Sequence, residues 1–231
     1  MKTIATNAFA YCTMLESVDI KNGVTSIGGA FYGCTSLKSI VIPDSVTDLS
    51  SSLAFSGCTS LESVTLPKAI KRIGGFNGCE SLERISFSGS ETTPGVLVIP
   101  EGVTGIEYQA FMGCTKLTSV VIPASVRTIS EKAFYQCANL SSVTIDAPKN
   151  PDTWYQGVSI YDNAFTACAS SLVFHTICDT AATKWVKENT SYTVEPTEHV
   201  RETVKGKAST CKQKGLSDYD RCAYCYYEFT Q

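Results

Sequence analysis

Apolar residues recur along this chain at fixed short intervals. From Phe9 onward, a phenylalanine is followed three residues later by cysteine and three later again by leucine. The units are Phe9-Cys12-Leu15, Phe31-Cys34-Leu37, Phe55-Cys58-Leu61, Phe76-Cys79-Leu82, Phe111-Cys114-Leu117 and Phe134-Cys137-Leu140. In a seventh unit, Phe165-Cys168, the leucine slips by one place to Leu172. A branched residue stands three beyond the leucine (Val18, Ile40, Val64, Ile85, Val120, Val143), and another apolar one two further on (Ile20, Ile42, Leu66, Phe87, Ile122, Ile145). Proline follows at 43, 67 and 123. The spacings between the cysteine anchors are 22, 24, 21, 35, 23 and 31 residues.

Each part of the unit predicts a local structure. Alternation over the last residues of Leu61-Glu62-Ser63-Val64-Thr65-Leu66 has the period of a half-buried strand. The following Pro-x-x-Val-x-x-Ile-Gly stretch carries apolar residues three apart, which predicts a turning backbone rather than a second regular strand. Ala-Phe-x-x-Cys then closes the coil and returns the chain to the next strand. No unit of about 22 residues buries its own Leu, Val, Ile and Phe, so the units must stack around one continuous core. The expected fold is an α/β solenoid with a parallel sheet on one face and irregular coils on the other.

Two spacings break the rhythm. Between Cys79 and Cys114 the turn-rich stretch Ser88–Gly95 separates Ile85-Ser86-Phe87 from Val96-Leu97-Val98-Ile99, which predicts a hairpin-like insertion projecting from one edge. Between Cys137 and Cys168, Ala147–Tyr155 forms a second excursion, with Trp154 and Tyr155 at its tip. Both are candidates for recognition or for tolerated loop variation. At the far end, a strand Leu172–His175, a helix over about 180–188 and a strand Tyr192–Val194 predict a helical cap at about 172–194. Ala181, Trp185 and Val186 fall at helical spacing to cover the last coil.

These residues resemble the leucine-rich repeats, specifically the Treponema-type subfamily of bacterial surface proteins similar to the BspA antigen. Its signature, Cys-x-x-Leu-x-x-Ile-x-Ile-Pro-x-x-Val-x-x-Ile-Gly-x-x-Ala-Phe, is matched from Cys114 to Phe134. There Ser130 stands in place of the glycine and one extra residue precedes Ala133-Phe134. The resemblance covers about residues 1–194. It implies a leucine-rich-repeat solenoid with a helical ending. It further implies a non-enzymatic, adhesin-like binding module at a cell surface or secreted, whose partners are host or microbial surface proteins or glycans. The alternatives are a spacer that projects another domain, or a zinc-binding tail module as the functional part.

Composition narrows the picture further. Of 231 residues, 43% are hydrophobic and 18% charged, and Ser with Thr supply 52, so wholesale disorder is excluded. Nineteen Lys and Arg against 22 Asp and Glu give a net charge of -3, with no basic excess for a nucleic-acid backbone. No window approaches the roughly 18 consecutive apolar residues of a membrane span, so no membrane insertion is expected. The opening Met1-Lys2-Thr3-Ile4 enters the repeat partway through a unit without an apolar leader, and reads as a portion of a longer protein.

Eleven cysteines raise the question of disulfides or metal. Seven of them share one repeat position beside the core phenylalanine, where a thiol acts as a small buried hydrophobe with a weak hydrogen bond to backbone. Neighbouring coils would hold these side chains about 5 Å apart and parallel, whereas a disulfide needs converging Cβ atoms near 4 Å. Cys178, near the cap, reads as an unpaired thiol. Residues 195–231 form a separate small Cys/His tail. His199, Cys211, Cys222 and Cys225 are a valid tetrahedral zinc set, one nitrogen and three sulfurs. They resemble His…Thr-Cys…Gly…Cys-x-x-Cys modules at the ends of bacterial surface proteins, with Thr210 and Gly215 in place. Tyr226 departs from the glycine usual after the last cysteine. A structural zinc, a disulfide with a spare thiol, and an unstructured tail all remain open; no other cofactor is expected.

No catalytic constellation emerges. The two histidines, His175 and His199, match no nucleophile motif, and Gly28-Gly29 and Gly74-Gly75 belong to the repeat's own turn. The concrete candidate surface is the outward side of the strands: Ser17 and Asp19, Ser39 and Val41, Ser63 and Thr65, Arg84 and Ser86, Ser119 and Val121, Ser142 and Thr144. They would line a shallow trough of hydroxyls and small apolar groups, suited to an extended protein or glycan. Soluble filler at exposed strand positions is the plainer explanation of the same residues.

Overall fold

The computed structural model describes residues 2–51, 53–146, 158–176, 181–196, 201–204 and 219–222, with the backbone alone from 196 onward. The chain winds as a parallel β-solenoid. Its first strands are β1 (Lys2–Thr3), β2 (Ser17–Asp19), β3 (Val24–Ser26), β4 (Ser39–Val41), β5 (Ser63–Leu66), β6 (Arg72–Ile73) and β7 (Arg84–Phe87). There follow β8 (Val96–Val98), β9 (Gly105–Ile106), β10 (Ser119–Ile122), β11 (Thr128–Ile129), β12 (Ser142–Ile145), β13 (Ser159–Ile160) and β14 (Val173–Thr176). Helix α1 (Ala181–Asn189) and β15 (Thr193–Pro196) close the array, and β16 (Arg201–Val204) pairs antiparallel with β17 (Tyr219–Cys222).

The front face is built from the strands expected at each Leu-x-x-Val-x-Ile segment. β2, β4, β5 and β7 form one parallel ladder, and β8, β10, β12, β14 and β15 a second. Register is strict: Val18, Ile40, Val64 and Ile85 lie opposite one another, as do Leu97, Val120, Val143 and Phe174. A period of two fixes this register, because a slip of one residue would turn the buried row to solvent.

The other face departs from expectation. The Pro-x-x-Val-x-x-Ile segments form strands as well: β6, β9, β11 and β13 make a four-stranded parallel sheet, and β1 pairs with β3. Stacking places equivalent turning segments side by side, and their backbone groups then pair whatever the side-chain period. Most are only two residues long, too short for alternation to show in sequence.

Between the faces runs a core of two ladders. Phe9, Phe31, Phe55, Phe76, Phe111, Phe134 and Phe165 stack ring on ring, with centroids 5.1–5.6 Å apart and planes within 13°. Beside them each thiol donates to the phenylalanine carbonyl of the preceding coil: Cys34 to Phe9, Cys58 to Phe31, Cys79 to Phe55, Cys114 to Phe76, Cys137 to Phe111 and Cys168 to Phe134, at 3.1–3.3 Å. All seven repeat cysteines are free of disulfides. Burial pushes the Cys58 and Cys168 thiols up to about 12, and raises Cys79, Cys114 and Cys137 in the same direction.

At the C-terminal end, Trp185 packs against Phe165 and Phe174, and Val186 is fully buried, so α1 covers the last coil with its apolar stripe. The excursion Ala147–Tyr155 and Cys178 lie outside the described residues.

Candidate functional site

The outward residues of the strands fall into two rows running across the front face. In the first, Ser17, Ser39, Ser63 and Arg84 are in register, and Ser119 and Ser142 continue the row on the second ladder. In the second row, Asp19, Val41, Thr65 and Ser86 are followed by Val121 and Thr144. Ser39, Val41 and Arg84 are exposed, and Ser63, Thr65, Ser86, Ser119, Val121, Ser142 and Thr144 are half-buried between neighbours. Hydroxyls link across strands: Ser86 Oγ donates to Thr65 Oγ1 at 3.0 Å. The charges at the margin are locally neutralised, since Arg84 pairs with Glu83 and Asp19 with Lys21.

Sequence reasoning missed six members of these rows. Val96 and Val98 belong to β8, in register with Ser119 and Val121. Val173 and Thr193 extend the first row beyond Ser142, and His175 and Glu195 the second beyond Thr144, with His175 Nδ1 3.7 Å from Glu195 Oε2. The signal for β8 was present in the alternation of Val96-Leu97-Val98-Ile99, whose Leu97 and Ile99 are buried.

That strand overturns the expected projecting hairpin. A hairpin would reverse direction, but β8 runs parallel to β10 within the front ladder. Ser88–Gly95 instead carries the chain back from the end of β7 to the start of β8. Eight residues reach up to about 28 Å, ample to retrace a four-residue strand of about 13 Å. Meanwhile the rest of the coil takes a single step: Ile73 lies in register with Ile106, and the Phe76 and Phe111 rings stack at 5.6 Å. At this coil the front therefore holds two strands where the back holds one, and the two ladders part between β7 and β8.

The parted strands leave a cavity of about 270 Å3, lined by Ile85, Phe87, Val96, Val98 and Pro100 and by Ser90–Thr93 of the return loop. Gly95 N–H still donates to Glu83 O at 2.7 Å where the strands begin. Further along, Phe87 N–H donates to Ser90 Oγ at 3.0 Å, so a side chain of the loop takes the place of a neighbouring strand.

Of the proposed metal ligands, Cys222 lies in β17 opposite Arg201, while His199, Cys211 and Cys225 lie outside the described residues. Among the described residues no group of three or more potential ligands converges, and no helix is long and apolar enough to cross a membrane.

The repeat matches the BspA type leucine rich repeat region in six copies, over residues 2–96 and 95–176. Among solved structures, a leucine-rich repeat protein from Eubacterium ventriosum is 28% identical, with 73% of this chain covering 41% of that one at a TM-score of 0.53. The pneumococcal vaccine antigen PcpA is 20% identical, with 72% of this chain covering 44% of that one at a TM-score of 0.50, a likeness of fold alone. The chain thus spans less than half the length of either protein. No curated protein matches it. No enzyme family is indicated by these likenesses. With its repeats matched over most of its length and its coils stacked as described, the chain belongs to the BspA type leucine-rich repeat family.

Proposed function

We propose that this chain is a non-enzymatic, adhesin-like binding module of a bacterial cell surface, which recognises an extended host or microbial protein or glycan across its front face. The observation that carries this reading is the face itself. Two rows of hydroxyl and small apolar side chains cross the parallel strands of both ladders, with their few charges paired locally. Such a surface offers hydrogen bonds and shallow apolar contact without long-range electrostatic steering. Leucine-rich repeat relatives that include a vaccine antigen support display at the surface.

The test is binding of the chain to immobilised matrix proteins, glycans and epithelial surfaces, beside a variant carrying Ser63→Lys, Thr65→Glu and Ser86→Lys. Saturable binding that the variant loses is the expected result. Binding retained by the variant moves the site away from the trough, and no binding by either favours a spacer.

A further inference from the structure

We propose that the cavity between β7 and β8 is an anchor pocket for a single aromatic side chain of an extended polypeptide, which makes the partner of the front face a protein rather than a glycan. This rests on the reading of that face as a binding surface and names what it selects.

Size comes first. At about 270 Å3 the cavity lies just below the roughly 300–1,000 Å3 of sites that enclose whole small molecules. It suits one large side chain. Its chemistry is the second argument. Ile85, Phe87, Val96, Val98 and Pro100 give apolar walls, while the loop supplies hydroxyls from Ser90, Thr92 and Thr93 and a carboxylate acceptor from Glu91. A ring with an apolar body and a polar tip, tyrosine or tryptophan, matches that division. A sugar, with hydroxyls around its whole rim, would strand several of them against valine and phenylalanine once enclosed.

The walls are also held in place before any ligand arrives. The Ser90 hydroxyl accepts from Phe87 N–H at 3.0 Å and lies 2.8 Å from Phe87 O, to which it donates; Ser90 N–H donates to the same carbonyl at 2.8 Å. Val96 N–H donates to Thr93 O at 3.1 Å. Both ends of the return loop are thereby tied, and a pocket formed in advance loses little ordering entropy on binding. Beside the mouth, Val98 is 53% exposed and in register with Val121, an apolar strip for the residues flanking the ring. On the other side, Ser86 and Thr65 offer hydroxyls to their backbone.

The experiment uses the chain with isotope-labelled methyl groups and four probes. These are indole, a glycine-flanked tyrosine peptide, the same peptide with alanine, and N-acetyllactosamine. Indole and the tyrosine peptide are expected to shift the Ile85, Val96 and Val98 methyl signals saturably, with millimolar dissociation constants. The alanine peptide should bind at least tenfold more weakly. Val98→Trp, which fills the cavity from an exposed position, should abolish the shifts while the thermal midpoint stays unchanged. Thr92→Trp, filling it from the loop, provides a second check. Absence of shifts, shifts that survive both filled variants, or shifts given by the glycan instead would overturn the proposal. A surface ligand lost on Ser63→Lys and Thr65→Glu yet retained by Val98→Trp would also overturn it, and would leave the wider front-face reading standing. Aromatic probes bound in the pocket of a chain that captures no surface ligand would uphold the pocket and sink the wider reading.

Discussion

Truncating one ring of the phenylalanine ladder should cost different amounts at different heights of the stack. Phe76 is completely buried, lies between Phe55 at 5.4 Å and Phe111 at 5.6 Å, and accepts the Cys114 thiol on its carbonyl. Phe76→Ala removes a full core side chain and two ring contacts, for which large-to-small substitutions cost about 3–5 kcal/mol. Stacked pairs add about 0.5–1.5 kcal/mol beyond area, so the upper end of that range is expected. Phe9 is 39% exposed and stacks on one side only, against Phe31 at 5.4 Å. With little over half the burial and one contact, Phe9→Ala should cost about 2 kcal/mol. Position matters beyond size. In a quasi-one-dimensional array a central lesion uncouples the coils on either side, whereas an end lesion frays one. Against a domain stability of about 5–15 kcal/mol, Phe76→Ala should lower the urea midpoint sharply and separate two transitions. Phe9→Ala should lose amide protection only in the first coil, read by hydrogen exchange. Equal losses for the two variants, or a cost below about 1.5 kcal/mol at Phe76, would refute the reasoning that the ring ladder carries cooperativity.

Three further outcomes follow from the geometry. The buried thiols should make the fold sensitive to alkali. An unfolded cysteine titrates near 8.5, whereas Cys58 and Cys168 are pushed up to about 12, so in that interval the unfolded state has released protons the folded state keeps. Stability should be complete below about pH 8.5 and fall as pH rises toward about 12, with a shallower fall in Cys58→Ala. Gly75 has φ of 89°, and a Cβ there would sit 2.7 Å from Ser51 O, so Gly75→Ala should cost well over the about 1 kcal/mol expected for Gly23→Ala. At Gly23, φ is 94° but nothing lies within 4 Å; thermal melts of the two variants make the comparison. Arg72 grips Glu107 with two contacts of 2.7 Å on the back face, and although the Arg72 side chain is 51% exposed that of Glu107 is only 13% exposed. Glu107→Gln, which removes the charge and one of the two acceptors, should therefore lower the denaturation free energy by about 1.5–3 kcal/mol.

How much of this was legible in the sequence depended on period and repetition. Phe-x-x-Cys-x-x-Leu recurs because each residue meets its own copy in the next coil, so the ladders of Phe and Cys could be read from spacing alone. The back-face strands could not. Arg72-Ile73 or Thr128-Ile129 is two residues long, and its pairing is made by stacked backbones rather than by a side-chain pattern. Helix α1 was legible through Trp185 and Val186 and falls within one residue of its expected bounds, but Ala181, expected in the covering stripe, is exposed, and Ala182 and Thr183 are buried in its stead. The insertion was misread because Ser88–Gly95 has the composition of a turn, and a turn between two apolar runs most simply means a hairpin. What decided otherwise was non-local. Leu97 and Ile99 had a core to enter beside Val120 and Ile122, and a parallel edge on β10 to pair with.

The same repetition that makes the fold legible hides the function. Inward positions are constrained by their neighbours above and below, so Leu97→Ala, in a fully buried site, should cost about 2–5 kcal/mol. Outward positions carry no such constraint, and substitutions there should stay within about 0.5 kcal/mol. Recognition written on the outward rows can therefore change without disturbing the solenoid, and leaves no trace in the repeat signature. A perfectly regular array would present the same Ser and Thr rows at every step and could not fix a ligand in one register. This chain breaks that uniformity between β7 and β8, where Ser86 gives way to Val98 across an open seam. If register is set there, Val98→Trp should displace a bound surface ligand while Thr144→Trp should leave it in place. Thr144 is half-buried in the same row, on a strand paired on both sides. Equal loss from the two substitutions would mean that the face binds through its breadth, with the seam contributing no more than any other coil.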